Sequence, residues 1–79
     1  MNICFIRGKI ISDIEFKFII NSKNTAISIF RIELENKCKI LVKAYNELAD
    51  YCYRFYKIGD VIYIQGYIEN NEIILEFIK

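Results

Sequence analysis

The feature that most constrains this chain is alternation. Apolar and polar residues change places every second position through most of its 79 residues, and only one stretch switches to a helical period. Alternation puts successive side chains on opposite faces of a strand. Ile3 to Ile11 reads as a first strand, with Gly8 at a bend where the curving backbone has no room for a side chain. Ile14 to Ile20 continues it as extended chain, and Asn21-Ser22-Lys23-Asn24 is a turn cluster. Thr25 to Glu35 is the second strand, with Ala26, Ser28, Phe30, Ile32 and Leu34 on one face and Ile27, Ile29, Arg31 and Glu33 on the other. After the turn at Glu35-Asn36-Lys37, Cys38 to Tyr45 forms the third strand. Ile40, Val42 and Ala44 face inward there, and Lys39, Leu41, Lys43 and Tyr45 face outward.

The period then lengthens. Asn46 has the chemistry of an N-cap, Glu47 and Asp50 suit the positive end of a helix, and Leu48, Tyr51, Cys52 and Phe55 form an apolar stripe. Arg54 and Lys57 lie towards the far end, and Gly59 is the expected stop. Val61 to Ile68 is a fourth strand, Glu69-Asn70-Asn71-Glu72 a hairpin turn, and Ile73 to Ile78 a fifth strand. Five strands with one helix between the third and fourth predict an all-β domain with one helix, a Greek-key OB barrel spanning residues 1–79. An SH3-like barrel lacks the helix, and a ferredoxin-like sandwich needs a second one.

Composition narrows the function. The chain has no His and no CxxC pair, which argues against a metal site and a thiol nucleophile. No paired-carboxylate or glycine-rich signature is present, so the chain is not expected to be an enzyme or to need a cofactor. Cys4, Cys38 and Cys52 read as small buried hydrophobes. No uncharged apolar run approaches the ~18 residues of a membrane span. The basic Arg7 and Lys9 follow the first apolar run, unlike the order in a signal peptide, so the cytoplasm is the expected compartment. With 54% hydrophobic residues, a core this small cannot hide them all, which points to an interface between copies.

Net charge is only +1, but residues 1–45 carry eight basic and four acidic groups, a net of +4, and the remainder is net −3. A polyanion would be drawn to the first half. The sharpest local pattern is Lys39, Leu41, Lys43, Tyr45 on one strand face: cations to follow phosphates and a ring on which a base can stack. The competing reading is a solvated face whose lysines serve solubility or blunt an edge. Phe30, Phe55 and Phe77 are expected in core or helix packing. One of Phe16 and Phe18 should help close the barrel. Tyr63, beside Val61, suits a subunit contact, and Tyr67 suits DNA or a subunit equally. Ile27 and Ile29 form either a groove floor or a subunit contact.

Five segments in order resemble the bacterial single-stranded-DNA-binding protein family. Met1 to Ile10 looks like its opening strand, Ser12-Asp13-Ile14-Glu15-Phe16-Lys17-Phe18 its Asp-Pro-Glu-aliphatic-Arg-aromatic segment, and Thr25 to Phe30 its second strand. Tyr45-Asn46-Glu47-Leu48-Ala49-Asp50 is similar to its helix start, and Phe55 to Ile68 to its helix exit and fourth strand. The resemblance implies an OB fold that binds single-stranded DNA without sequence preference, as a homodimer or homotetramer, in replication, recombination or repair or for a mobile element. It places Tyr45 at a base-stacking position, Lys17 at that of the family's Arg, Lys9 after the bend glycine, and Lys57 before the helix-exit glycine. With Lys39, Lys43 and the outward Arg31, these seven residues are the candidate nucleic-acid site.

The departures from that family are specific. Ile14 replaces its Pro and Tyr67 its usual Arg, and the hairpin at 69–72 is short and acidic where the family's is long and basic. The sequence ends at Lys79 without the family's acidic tail. Weaker binding, a shorter footprint and no tail-mediated recruitment follow, as in a shortened plasmid, phage or conjugative-element form or a primosomal-type relative. The alternative is an OB-fold adaptor or subunit with no direct nucleic-acid role. A cold-shock-like RNA binder fits less well, because its aromatic-rich strand motifs are missing.

Overall fold

The computed structural model describes residues 2–20 and 24–79. Its elements are β1 (Ile3–Ile10), β2 (Glu15–Ile19), β3 (Thr25–Glu33), β4 (Lys39–Tyr45), α1 (Glu47–Phe55), β5 (Val61–Glu69) and β6 (Glu72–Ile78). The sheet runs β1-β5-β6-β4-β3-β2, and a further β1–β3 pairing closes it into a barrel. Among the described residues, only β4 and β6 pair in parallel, and the other pairings are antiparallel. This is the OB arrangement predicted from the sequence.

Six strands appear where five were expected, because the first breaks in two. The break falls at Ser12, whose hydroxyl accepts the Arg31 N–H at 2.8 Å, while the Ile11 N–H donates to the Arg31 carbonyl at 2.9 Å. The chain therefore stays beside β3 while it turns. β1 pairs with β5 through Ile3–Lys9 and passes to β3 at Lys9 and Ile10; β2 then flanks Thr25–Ile29 of β3. Gly8 sits just before this change of partner. A Cβ there would lie 2.9 Å from Ile32 Cδ1, so Ile32 would have to shift to admit a side chain at the bend. The turn expected at 21–24 lies outside the described residues for 21–23.

Inward residues follow the alternation. Ile10, Phe30, Ile32, Val42, Ala44, Ile62, Ile64, Ile73 and Leu75 are buried in one cluster. α1 covers one end of the barrel. Its contact face differs from the predicted stripe: Ala49 and Cys52 are buried, Leu48 and Tyr56 pack beside them, and Tyr51 and Phe55 are exposed. At the closest approach only small side chains fit, so the large rings are displaced to the rim, where Tyr51 and Phe55 lie 5.0 Å apart. Ser28 ties the helix to the sheet, its buried hydroxyl donating to the Ala49 carbonyl at 2.7 Å. Asn46 does not cap the helix with its side chain. Its Oδ1 accepts the Ala26 N–H at 3.3 Å and its own N–H donates to the Ala26 carbonyl at 2.8 Å, which extends the strand ladder instead. The helix ends at Phe55, before Gly59, whose φ of 95° serves the following turn.

Two details tighten the second half. Asn70 and Asn71 both have positive φ (51° and 63°), as a two-residue hairpin of the primed type requires. A bulge falls between Gln65 and Gly66, where a Cβ on Gly66 would run into the Ile74 carbonyl oxygen. Beyond the bulge Phe77 turns outward and is exposed, contrary to its expected place in the core. The cysteines divide too. Cys52 is buried, Cys4 is half-buried with its thiol donating to the Gly66 carbonyl, and Cys38 is exposed.

Burial pushes the Cys52 thiol up to about 12. Cys38 should therefore react with a thiol reagent in the native protein, and Cys52 only after unfolding; rapid native labelling of Cys52 would contradict its placement. The buried thiol holds its proton where the unfolded one releases it, so its contribution to stability is complete below pH 9 and is lost progressively up to about pH 12. Gly66→Ala should cost ~1–3 kcal/mol in urea unfolding, because backbone must move to admit the methyl group. An unchanged midpoint would show that the bulge has slack.

Candidate nucleic-acid interface

Strand register fixes which outward residues stand side by side. Ile27 of β3 lies between Lys17 of β2 and Tyr45 of β4, and Ile29 between Glu15 and Lys43. Arg31 faces Leu41. Glu33 lies between Lys39 and Lys9, at the seam where β1 closes the barrel. Six of the seven candidate residues, Lys9, Lys17, Arg31, Lys39, Lys43 and Tyr45, thus occupy one face of the sheet. Lys57 is the exception: it leads into the 58–59 turn, where its N–H donates to Asp60 Oδ2 at 2.9 Å.

The floor of this face is apolar. Ile27 is only 4% exposed although it points outward, because the Lys17 stem and the Tyr45 ring flank it across neighbouring strands. Ile74 of β6, beside Lys43, is also buried, and Ile29 and Leu41 are half-buried. Tyr45 remains exposed at the edge of this floor, with its ring available for stacking.

The charge on the face is mixed. Lys43 Nζ lies 2.9 Å from Glu72 Oε1, with each side chain 27% exposed. The hydrogen bond to Glu72, together with the nearby carboxylates, raises the Lys43 pKa above its ordinary value. Lys17 is more loosely paired with Glu15, at 3.8 Å. Among the described residues, Lys9, Arg31, Lys39 and Lys57 form no ion pair within 4.0 Å. Glu72 was not foreseen as part of the site. It reaches β4 through the parallel β4–β6 pairing, which sets it beside Leu41, and no local pattern announces such a pairing.

The opposite flank of the barrel is different. On β1, β5 and β6, Ile3, Phe5, Tyr63 and Phe77 are all exposed, and Phe5 reaches 78%. Phe5, Gln65 and Phe77 stand in register across the three strands and line a shallow cavity of about 400 Å³. Arg7 borders it, donating to the Tyr63 hydroxyl at 3.3 Å and pairing with Glu35 at 3.1 Å. Tyr67, the position left open from sequence, is half-buried between Ile3 and Ile74, nearer this flank than Tyr45 is. A second aromatic group lies where β2 meets the helix: Phe16 packs 5.1 Å from Tyr53 and edge-on to Phe18, which is exposed. Phe16 is thus the ring that helps close that side.

No protein-family description and no curated protein sequence matches the chain. Solved structures do. The SSB domain of a Synechococcus protein superposes with a TM-score of 0.89 at 12% identity, over 99% of this chain and 93% of that one. The single-stranded DNA binding protein from Thermus aquaticus gives 0.88 at 18% identity, covering all of this chain but 39% of its own. The second OB-fold domain of replication protein A from Methanococcus maripaludis gives 0.78 at 20% identity, over 95% of this chain and 79% of that one. At these identities the likeness shows the OB fold. Among the described residues no helix is long and apolar enough to cross a membrane, and no group of His, Cys, Asp or Glu is placed to hold a metal ion.

Proposed function

We propose that this chain binds single-stranded DNA without sequence preference, along the outer face of β2, β3 and β4, in replication, recombination or repair or for a mobile element. The observation that carries this reading is the alignment of Lys39, Lys43 and Tyr45 on one strand face, with Arg31 and Lys17 on the same face of the neighbouring strands, over an apolar floor. Cations spaced along a strand can follow phosphates, and Tyr45 offers a face to a base. Single-stranded-DNA binding by the Thermus protein, whose fold this chain shares, supports it. Lys57 is the weakest member of the site, since it stands off the sheet face.

Titration of fluorescent oligo-dT at several salt concentrations tests the reading. Affinity should fall with salt at a log–log slope of roughly −0.7 per phosphate neutralised. Tyr45→Ala should lose ~1–3 kcal/mol of binding, with thermal unfolding followed in parallel because the ring also covers Ile27. No binding at low salt would overturn the proposal, and an unchanged isotherm for Tyr45→Ala would remove the stacking role. The alternative, a protein adaptor, is favoured by the carboxylates among the lysines; it predicts co-purification with a protein and no affinity for the oligonucleotide.

The exposed Ile3, Phe5, Tyr63 and Phe77 support assembly into a homodimer or homotetramer through the β1–β5–β6 flank, because rings this exposed are costly to leave in water. Light scattering should give the mass of two or four chains, and Phe5→Glu combined with Phe77→Glu should reduce it towards one. A wild-type monomer at tens of micromolar would contradict this assembly.

A further inference from the structure

The ion pair on β4 belongs to the candidate DNA face, and its geometry has a consequence for binding. Lys43 is centrally placed among the face's cations, between Ile29 and Ile74 on the apolar floor. It is also held most tightly: its amine meets Glu72 Oε1 at 2.9 Å, whereas Lys17 meets Glu15 at 3.8 Å. Glu72 opens β6 directly across the hairpin from Glu69. Two carboxylates facing each other across a ladder repel, and a cation beside them relieves that repulsion. Lys43 therefore offsets one of the two hairpin carboxylates in the free protein.

We infer that Glu72 is an internal competitor for phosphate: it occupies the Lys43 amine, so an incoming strand must displace a carboxylate before Lys43 can bind it. This rests on the reading of the β2–β3–β4 face as the DNA site. A phosphate oxygen and the Glu72 carboxylate are both anionic acceptors for the same ammonium group, so the exchange keeps Lys43 partnered. It leaves Glu72 beside Glu69 with no cation and places both carboxylates near the DNA backbone. Glu72 thus lowers affinity and sets where the bound strand stops on the hairpin side. Lys9, Arg31 and Lys39, which have no such partner among the described residues, are the cations a strand can reach at no such cost.

The test is Glu72→Gln in the full chain, titrated with oligo-dT beside wild type at several salt concentrations. Gln keeps the shape of the side chain and removes its charge. The variant should bind about fivefold tighter at low salt, the scale of a partly exposed ion pair, with the salt slope little changed because Lys43 meets a phosphate in both complexes. Lys43→Gln should weaken binding more in the Glu72→Gln background than in wild type, because only there is the amine free. Should Glu72→Gln fail to fold by circular dichroism, Glu69→Gln, across the hairpin, should tighten binding in the same direction by a smaller factor. If wild type binds and the affinity does not change in the variant, the competitor role of Glu72 is wrong and the DNA face stands. If neither protein binds at low salt, the DNA face itself is wrong and the role of Glu72 falls with it.

Discussion

Closure of the sheet at Lys9 and Ile10 governs the rest of this structure. There β1 leaves β5 and pairs with Glu33 and Ile32 of β3, so a strand that begins on one flank finishes on the other. Gly8 allows the bend, and Ser12 and Ile11 carry the hydrogen bonding past the corner to Arg31. Closure removes most exposed sheet edge and encloses the isoleucine-rich core, whose open end the helix covers with Ala49 and Cys52. It also sets the outward residues of β3 and β4 side by side on one face, while the exposed Ile3, Phe5, Tyr63 and Phe77 of β1, β5 and β6 form an apolar flank. The two flanks support two different proposals, a polyanion on one and a copy of the chain on the other.

The strands were legible because each has one buried and one solvated face. Of the expected inward residues, Ala26, Ser28, Phe30, Ile32, Val42 and Ala44 are buried and Leu34 and Ile40 half-buried, while Ile27, expected outward, is buried as well; the hairpin falls at Asn70-Asn71 as expected. The departures share a cause: tertiary contact overrides local pattern. Helical period marked Tyr51 and Phe55 for burial, but Ala49 and Cys52 make the buried contact, with Leu48 and Tyr56 beside them. Asn46 has the chemistry of a cap, yet the nearby β3 backbone claims its side chain. The bulge at Gly66 reverses the outward sense of β6, which exposes Phe77. Cys38, expected to be buried like the other two cysteines, sits between Lys37 and Lys39 beside a turn and is exposed.

Electrostatics were legible only in part. Counting charge along the chain separates a basic first half from an acidic second half, but the fold does not keep them apart. β6 lies parallel to β4 and brings Glu72 onto the basic face, where it takes the amine of Lys43. Six candidate residues converge because alternation and register place them there, and Lys57 does not because it follows the helix. What separates a working cation from a neutralised one is a pairing between segments some thirty residues apart, which no local motif encodes.

The most direct test of the β2–β3–β4 face is a map of backbone amide shifts in isotope-labelled protein as oligo-dT is added. Perturbations concentrated at 27–31 and 39–45, with residues 3–7 and 61–65 silent, are the result expected of a strand lying across β3 and β4. Shifts concentrated on the β1–β5–β6 flank, or no shifts at low salt, would contradict a DNA site built on Lys39, Lys43 and Tyr45.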